Sequence, residues 1–137
     1  MKVGIVLVTH EQLAAQLLTV VETIFDGEIV PVARVSVPAN IGPQRLGKYA
    51  DLIRDTMVEQ DKGDGVLVLT DVYGATPDNL ARHFSEQYRA RVVSGVNLPM
   101  LLRVLNYAQQ SLEQLCEIAV VGGVSGIKQG GIQQGKA

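Results

Sequence analysis

The segment VGIVLVTHEQL, residues 3–13, contains the first strand and the start of the first helix predicted for this 137-residue chain. Its first six residues, Val3–Val8, form an uninterrupted apolar run that ends at the polar Thr9, which is typical of a strand buried on both faces. Apolar residues then recur at helical spacing, at Leu13, Leu17, Val20, Val21 and Ile24. This spacing predicts an amphipathic helix that begins at Thr9 or His10, directly after the strand.

The same alternation of strand and helix repeats along the chain. Further strands are predicted over residues 29–37, 66–70 and 90–95, and further helices from Gly42-Pro43, Thr76-Pro77 and Asn97. A last helix is favoured through about residue 127, although EIAVVGG (117–123) also suits a strand. Four strand–helix units imply an α/β fold, a parallel sheet with helices on both faces. Pro31 has no backbone N–H to donate to a neighbouring strand, which places the second strand at the sheet edge. The predicted strand order is therefore 2-1-3-4.

Composition narrows the functional class. The length predicts one domain over residues 1–137, with a flexible Gly/Gln-rich tail over 128–137. A formal net charge of −2 gives no basic surface for nucleic acid, and no apolar run reaches the roughly 18 residues that a membrane helix needs. A single cysteine, Cys116, and the lack of a signal-peptide pattern predict a cytoplasmic protein. Neither metal-ligand spacing nor a nucleotide-binding glycine motif is present, so no cofactor is expected.

Two polar residues end the two strands that flank the predicted switch point of the sheet. His10 follows the first strand and Asp71 follows the third, and functional groups gather at that point in open α/β sheets. A carboxylate that accepts a hydrogen bond from one ring nitrogen of a histidine fixes the tautomer and leaves the other nitrogen free. The pair therefore predicts a nucleophilic His10 that is oriented by Asp71.

The turn GATPDN, residues 74–79, supplies a place for negative charge. Gly74 lets the backbone come close to a ligand, and Thr76 is predicted to cap a helix whose first N–H groups have no partner. Such helix starts favour phosphate and other anions. Histidine, carboxylate and anion-binding turn together predict a residue that accepts a phosphoryl group and hands it on.

Three segments, GIVLVTHEQLA (4–14), LTDVYGATPDN (69–79) and SGVNLPMLLRVL (94–105), resemble the IIA component of mannose-type bacterial phosphotransferase systems in order and spacing. The resemblance covers residues 2–125. It implies a sheet of order 2-1-3-4, a homodimer, and a phosphohistidine carrier for sugar uptake or regulation. His10 would take the phosphoryl group on Nε2 from the phosphocarrier protein HPr and pass it to a IIB component or a regulatory target. Asp71 would bond the other ring nitrogen, and the backbone at Gly74, Ala75 and Thr76 would bind the phosphate.

Two residues depart from that family pattern. Glu11 stands where the family often has glycine, and it adds negative charge beside His10. Ala75 stands where a second glycine is frequent, and it fits only if its φ is negative.

Two other functions stay open on the sequence. One is the phosphoryl-donating subunit of a dihydroxyacetone kinase, and the other is an α/β binding module whose histidine is never phosphorylated. The second histidine, His83, is expected on a helix surface beside Phe84. Cys116 lies among apolar residues at helical spacing and is expected to be an inert core thiol.

Overall fold

The four predicted strands form one parallel sheet in the order β2-β1-β3-β4. This computed structural model describes residues 2–131. The strands are β1 (Gly4–His10), β2 (Val32–Val37), β3 (Val66–Thr70) and β4 (Ala90–Ser94). The helices are α1 (Leu13–Ile24), α2 (Leu46–Gln60), α3 (Thr76–Ser85), α4 (Leu98–Asn106) and α5 (Leu112–Ser125), and a short 3-10 turn at Pro43–Arg45 precedes α2. The predicted α/β fold and its strand order are confirmed.

The central strands β1 and β3 are buried on both faces, as their continuous apolar sequences predict. Because successive side chains of a strand point to opposite faces, Ile5 and Leu7 pack with α1, α4 and α5, whereas Val6 and Val8 pack with α2 and α3. Two apolar layers therefore hold the sheet, and its carboxyl edge is left for polar residues.

The first helix begins later than predicted. β1 continues through His10, which pairs with Val37 of β2, and α1 starts at Leu13 and not at Thr9 or His10. Glu11 makes the turn between them in the left-handed region, with φ of 49°. The buried Thr9 hydroxyl oxygen accepts the Ala14 N–H at 2.9 Å, so a strand side chain satisfies the first turn of the helix.

Other boundaries differ by smaller amounts. β2 begins at Val32, just after Pro31, and not at residue 29. Thr76 is the first residue of α3; Ala75 occupies the cap position that was predicted for Thr76. The cap at Asn97 is confirmed, since its side chain accepts the Met100 N–H at 2.9 Å.

The last helix, α5, confirms the helical interpretation of residues 117–123 over the strand. The tail expected over residues 128–137 lies partly outside the described residues, which end at residue 131. Its flexibility and the single-domain organisation remain predictions.

Gly4, in the segment that opens the chain, allows the end of α2 to approach the sheet. A Cβ atom at Gly4 would lie 2.2 Å from the carbonyl oxygen of Gln60 and 2.7 Å from its carbonyl carbon. Gln60 is the last residue of α2, and its side-chain amide donates to the Pro31 carbonyl at 3.0 Å. Glycine is therefore required here by a close backbone approach.

We expect Gly4→Ala to lower the free energy of unfolding by about 1–3 kcal/mol, because β1 or the end of α2 must shift. Gly47→Ala in α2 is the matched control. A methyl group at Gly47 would meet no atom within 4 Å, and the better helix propensity of alanine should stabilise the protein by up to about 1 kcal/mol. Urea denaturation measures both effects; a Gly4→Ala protein as stable as the wild type would contradict the close approach.

Candidate active site

The carboxyl ends of the neighbouring strands β1 and β3 bring His10 and Asp71 together. The Nδ1 atom of His10 lies 2.8 Å from Oδ2 of Asp71, and the same oxygen accepts the backbone N–H of His10 at 3.0 Å. Oδ1 of Asp71 accepts the Val72 N–H at 3.0 Å. Asp71 is thus held by backbone on both sides, and it holds the His10 ring in one orientation.

The carboxylate also selects the tautomer of the ring. An ionised carboxylate only accepts hydrogen bonds, so the Nδ1 that faces Asp71 carries the hydrogen in neutral His10. Nε2 then keeps its lone pair, and no protein group within residues 2–131 bonds to it. The His10 side chain is 30% exposed and that of Asp71 is 9% exposed. The arrangement suits a nucleophile that meets its reactant from solvent while its second nitrogen is fixed.

The turn after β3 places Gly74, Ala75 and Thr76 next to Asp71. Gly74 has φ of +84°, which favours glycine, whereas Ala75 has φ of −79°, so the alanine adopts its backbone without strain. The Ala75 N–H donates to the Val72 carbonyl at 3.2 Å. Among the described residues, the Thr76 and Asp78 N–H groups have no acceptor, and they point out of the first turn of α3. Both groups are therefore available to bind an anion.

Asp78 and Arg82 hold this turn, and neither was predicted from the sequence. The fully buried Asp78 carboxylate accepts the Thr70 hydroxyl at 2.6 Å, the Gly74 N–H at 3.0 Å and Nε–H of Arg82 at 2.8 Å. The Asn79 side-chain amide donates to the Gly74 carbonyl at 2.8 Å. One sequence signal could have indicated the pair: Asp78 and Arg82 are an acid and a base four residues apart in a predicted helix.

These contacts set the charge state of Asp78. Burial by itself raises the pKa of the Asp78 carboxyl, but the hydrogen bonds from Arg82, Thr70 and Gly74 and the charge of Arg82 outweigh burial. The pKa of Asp78 is therefore held below its ordinary value of 3.8. The site contains an ionised, buried carboxylate in the first turn of α3.

Glu11, the first departure from the family pattern, is bonded to the loop after β2. Its Oε1 accepts the Ala39 N–H at 2.7 Å, and its backbone N–H donates to the Val37 carbonyl at 2.8 Å. The carboxylate beside His10 thus binds backbone and takes no part in the His10–Asp71 pair. Glu11 makes this side-chain bond while its backbone lies in the left-handed region, which usually favours glycine.

The remaining candidates lie away from this edge of the sheet. His83 is exposed on α3, with its ring edge-on to Phe84 at 5.3 Å between centroids. Cys116 is half-buried, and burial raises the pKa of its thiol, which disfavours the reactive thiolate. Residues 2–131 contain no group of three or more His, Cys, Asp or Glu side chains placed to hold a metal ion. No helix in the same part of the chain is long and apolar enough to cross a membrane.

We expect Asp78→Asn to lower the free energy of unfolding at pH 7 by about 2–3 kcal/mol, since Arg82 loses its charged partner. The pKa of Asp78 is lower in the folded chain than in the unfolded chain, so the unfolded chain binds the proton first as the pH falls. The stability that Asp78 provides is therefore complete above about pH 5 and is lost as the pH drops through the folded-state pKa.

Urea denaturation at pH 7 and at about pH 3 measures this loss, and the difference between wild type and Asp78→Asn should shrink at the lower pH. Asp55→Asn, at an exposed ion pair with Arg54, is the matched control and should change stability little at either pH. A wild-type-to-variant difference that stays constant would show that the Asp78 charge does not stabilise the fold.

The chain is similar in sequence to components of phosphotransferase systems. The family model described as "PTS system fructose IIA component" (EIIA-man) matches residues 4–120. A candidate phosphotransferase enzyme IIA component, YadI of Escherichia coli (strain K12), is 29% identical over 103 residues, which are 74% of this chain and 68% of that protein. The PTS system fructose-specific EIIA component of Bacillus subtilis (strain 168) is 42% identical over 60 residues, 43% of this chain and 38% of that protein.

Solved structures show the same fold. The mannose/sorbose specific IIA subunit from Enterococcus faecalis superposes with a TM-score of 0.78 at 27% identity, over 96% of this chain and 97% of that one. Component EIIA from Streptococcus agalactiae gives a TM-score of 0.76 at 23% identity, over 93% of this chain and 96% of that one. Because the family model covers well over half of the sequence, the chain belongs to the EIIA-man family of phosphotransferase-system IIA components.

Proposed function

We propose that the chain is a phosphohistidine carrier. His10 accepts a phosphoryl group from the phosphocarrier protein HPr and passes it to a IIB component or a regulatory target. The observation that carries the proposal is one Asp71 oxygen that bonds both the backbone N–H and the Nδ1 of His10. Through this contact Asp71 leaves Nε2 of His10 as the free nucleophile.

In the proposed step, the Nε2 lone pair attacks phosphorus, the new N–P bond forms and the bond from phosphorus to the donor breaks. The Nδ1 hydrogen stays on the ring, so His10 becomes positively charged, and Asp71 stabilises that charge. The donor keeps the electron pair of the broken bond. Transfer to the acceptor reverses these events, which returns His10 to its neutral tautomer.

The negative charge of the phosphoryl oxygens needs donors that are already in place. The N–H groups of Thr76 and Asp78 are free for this at the start of α3, where the helix dipole also favours an anion. The N–H groups of Gly74 and Ala75 lie in the same turn but already donate within the protein. We therefore propose that the backbone N–H groups of Thr76 and Asp78 bind the phosphate. Gly74 and Ala75 instead shape the turn.

The proposed carrier acts in the cytoplasm, where sugar uptake or its regulation would use it. The homodimer implied by the family also remains part of the proposal. It is supported by the outer face of α5 and the residues after it, which expose large apolar side chains at Val120, Val121, Val124 and Ile127. An exposed apolar face of this kind is typical of a surface that another chain covers.

We expect His10→Ala to abolish labelling when the protein is mixed with phosphoenolpyruvate, enzyme I and HPr, because the acceptor nitrogen is removed. Intact-mass spectrometry of the wild type should show one acid-labile phosphoryl group. His83→Ala, which removes the other histidine, is the matched control and should label fully. Asp71→Asn should label about 100-fold more slowly, because the ring loses its orienting carboxylate.

The proposal fails if the wild type stays unmodified or if His10→Ala is labelled as well as the wild type. If the wild type is labelled, transfer from it to an isolated IIB component or to a dihydroxyacetone kinase then distinguishes the two acceptors.

A further inference from the structure

The proposed phosphoryl site contains two carboxylates. Asp71 bonds His10 directly, and the buried Asp78 carboxylate bonds to Thr70, the residue before Asp71, and to Gly74 in the turn beside it. A phosphoryl group adds further negative charge to the same edge of the sheet. Like charges in one partly buried site repel each other, and a cation bound there offsets that repulsion.

Arg82 is placed to provide that cation. Its Nε–H donates to Oδ2 of Asp78 at 2.8 Å, and its Nη2 donates to the Ser94 hydroxyl at 3.4 Å, at the end of β4. Its guanidinium carbon also lies 4.9 Å from the centre of the Tyr73 ring, within the range of a cation–π contact. One side chain therefore links α3, β4 and the turn after β3.

We propose that Arg82 is a positioning residue for phosphoryl acceptance at His10, an inference that rests on the proposed function. Arg82 acts through two neighbours: its charge cancels that of Asp78, and its contact with Tyr73 fixes the turn that leads to the free N–H groups. Removal of Arg82 alone leaves an uncompensated buried carboxylate next to the phosphoryl group. Removal of both charges leaves no such imbalance.

The test measures the equilibrium constant for phosphoryl transfer between HPr and variants of the full chain. Arg82→Gln should lower this constant about tenfold, whereas Arg82→Lys, which keeps the charge, should stay within about threefold of the wild type. The double variant Arg82→Gln with Asp78→Asn should recover most of the loss. Arg91→Gln, which removes an exposed arginine 3.8 Å from Glu113, is the matched control and should not change the constant.

A purely structural role for Arg82 gives a different pattern, because the double variant then loses more hydrogen bonds and transfers no better than Arg82→Gln. That result, or an Arg82→Gln protein that equals the wild type, would overturn the inference and leave the proposed function standing. A wild type that accepts no phosphoryl group would overturn both.

Thermal unfolding identifies the variants that are folded at the assay temperature. If Arg82→Gln is not folded, the single variant Asp78→Asn makes the same distinction. Asp78→Asn removes the carboxylate that pairs with Arg82 and leaves the positive charge of Arg82 free to attract the phosphoryl group. This variant should therefore raise the equilibrium constant severalfold. A lowered constant for folded Asp78→Asn would overturn the inference.

Discussion

One carboxylate oxygen, Oδ2 of Asp71, accepts hydrogen bonds from both the backbone and the ring of His10. This double contact is possible only because β1 and β3 lie side by side and parallel, with their carboxyl ends at one edge of the sheet. Apolar layers on both faces fix the two strands, so the distance between His10 and Asp71 is set by the core. The orientation of one imidazole ring thus depends on the packing of the whole domain core.

Two further carboxylates at this edge of the sheet, those of Glu11 and Asp78, have different hydrogen-bond partners. Glu11 bonds the backbone of Ala39, whereas Asp78 is buried and paired with Arg82. Neither carboxylate bonds the His10 ring, and within residues 2–131 Asp71 is the carboxylate that orients it. The proposed carrier must release its phosphoryl group as well as accept it, so the net charge of the site affects both steps.

Much of the fold could be predicted from the sequence because the signals are local. The uninterrupted apolar run at Val3–Val8 indicates a central strand, Pro31 indicates the edge strand, and together they give the strand order that brings His10 to Asp71. The start of α1 was predicted too early. Its position depends on the left-handed turn at Glu11 and on the Thr9 hydroxyl, and neither leaves a periodic pattern in the sequence.

The Asp78–Arg82 pair was missed for a different reason. An acidic residue in the first turn of a helix is ordinarily exposed and interacts with the helix dipole, so no local pattern indicates that Asp78 is buried against Thr70. Likewise, Thr76 is a favourable capping residue, yet the turn places Ala75 at the cap and leaves the Thr76 N–H free. Local propensity does not determine which backbone groups tertiary contacts already occupy.

We propose that Asp71 holds the proton on Nδ1 of His10 and leaves Nε2 to carry the phosphoryl group. Nitrogen-15 NMR of the His10 ring, before and after phosphorylation, distinguishes the two ring nitrogens. We expect a ring protonated on Nδ1 in the neutral unmodified protein and a phosphorus–nitrogen coupling to Nε2 in the modified one. A neutral ring protonated on Nε2, or a phosphoryl group bonded to Nδ1, would contradict it.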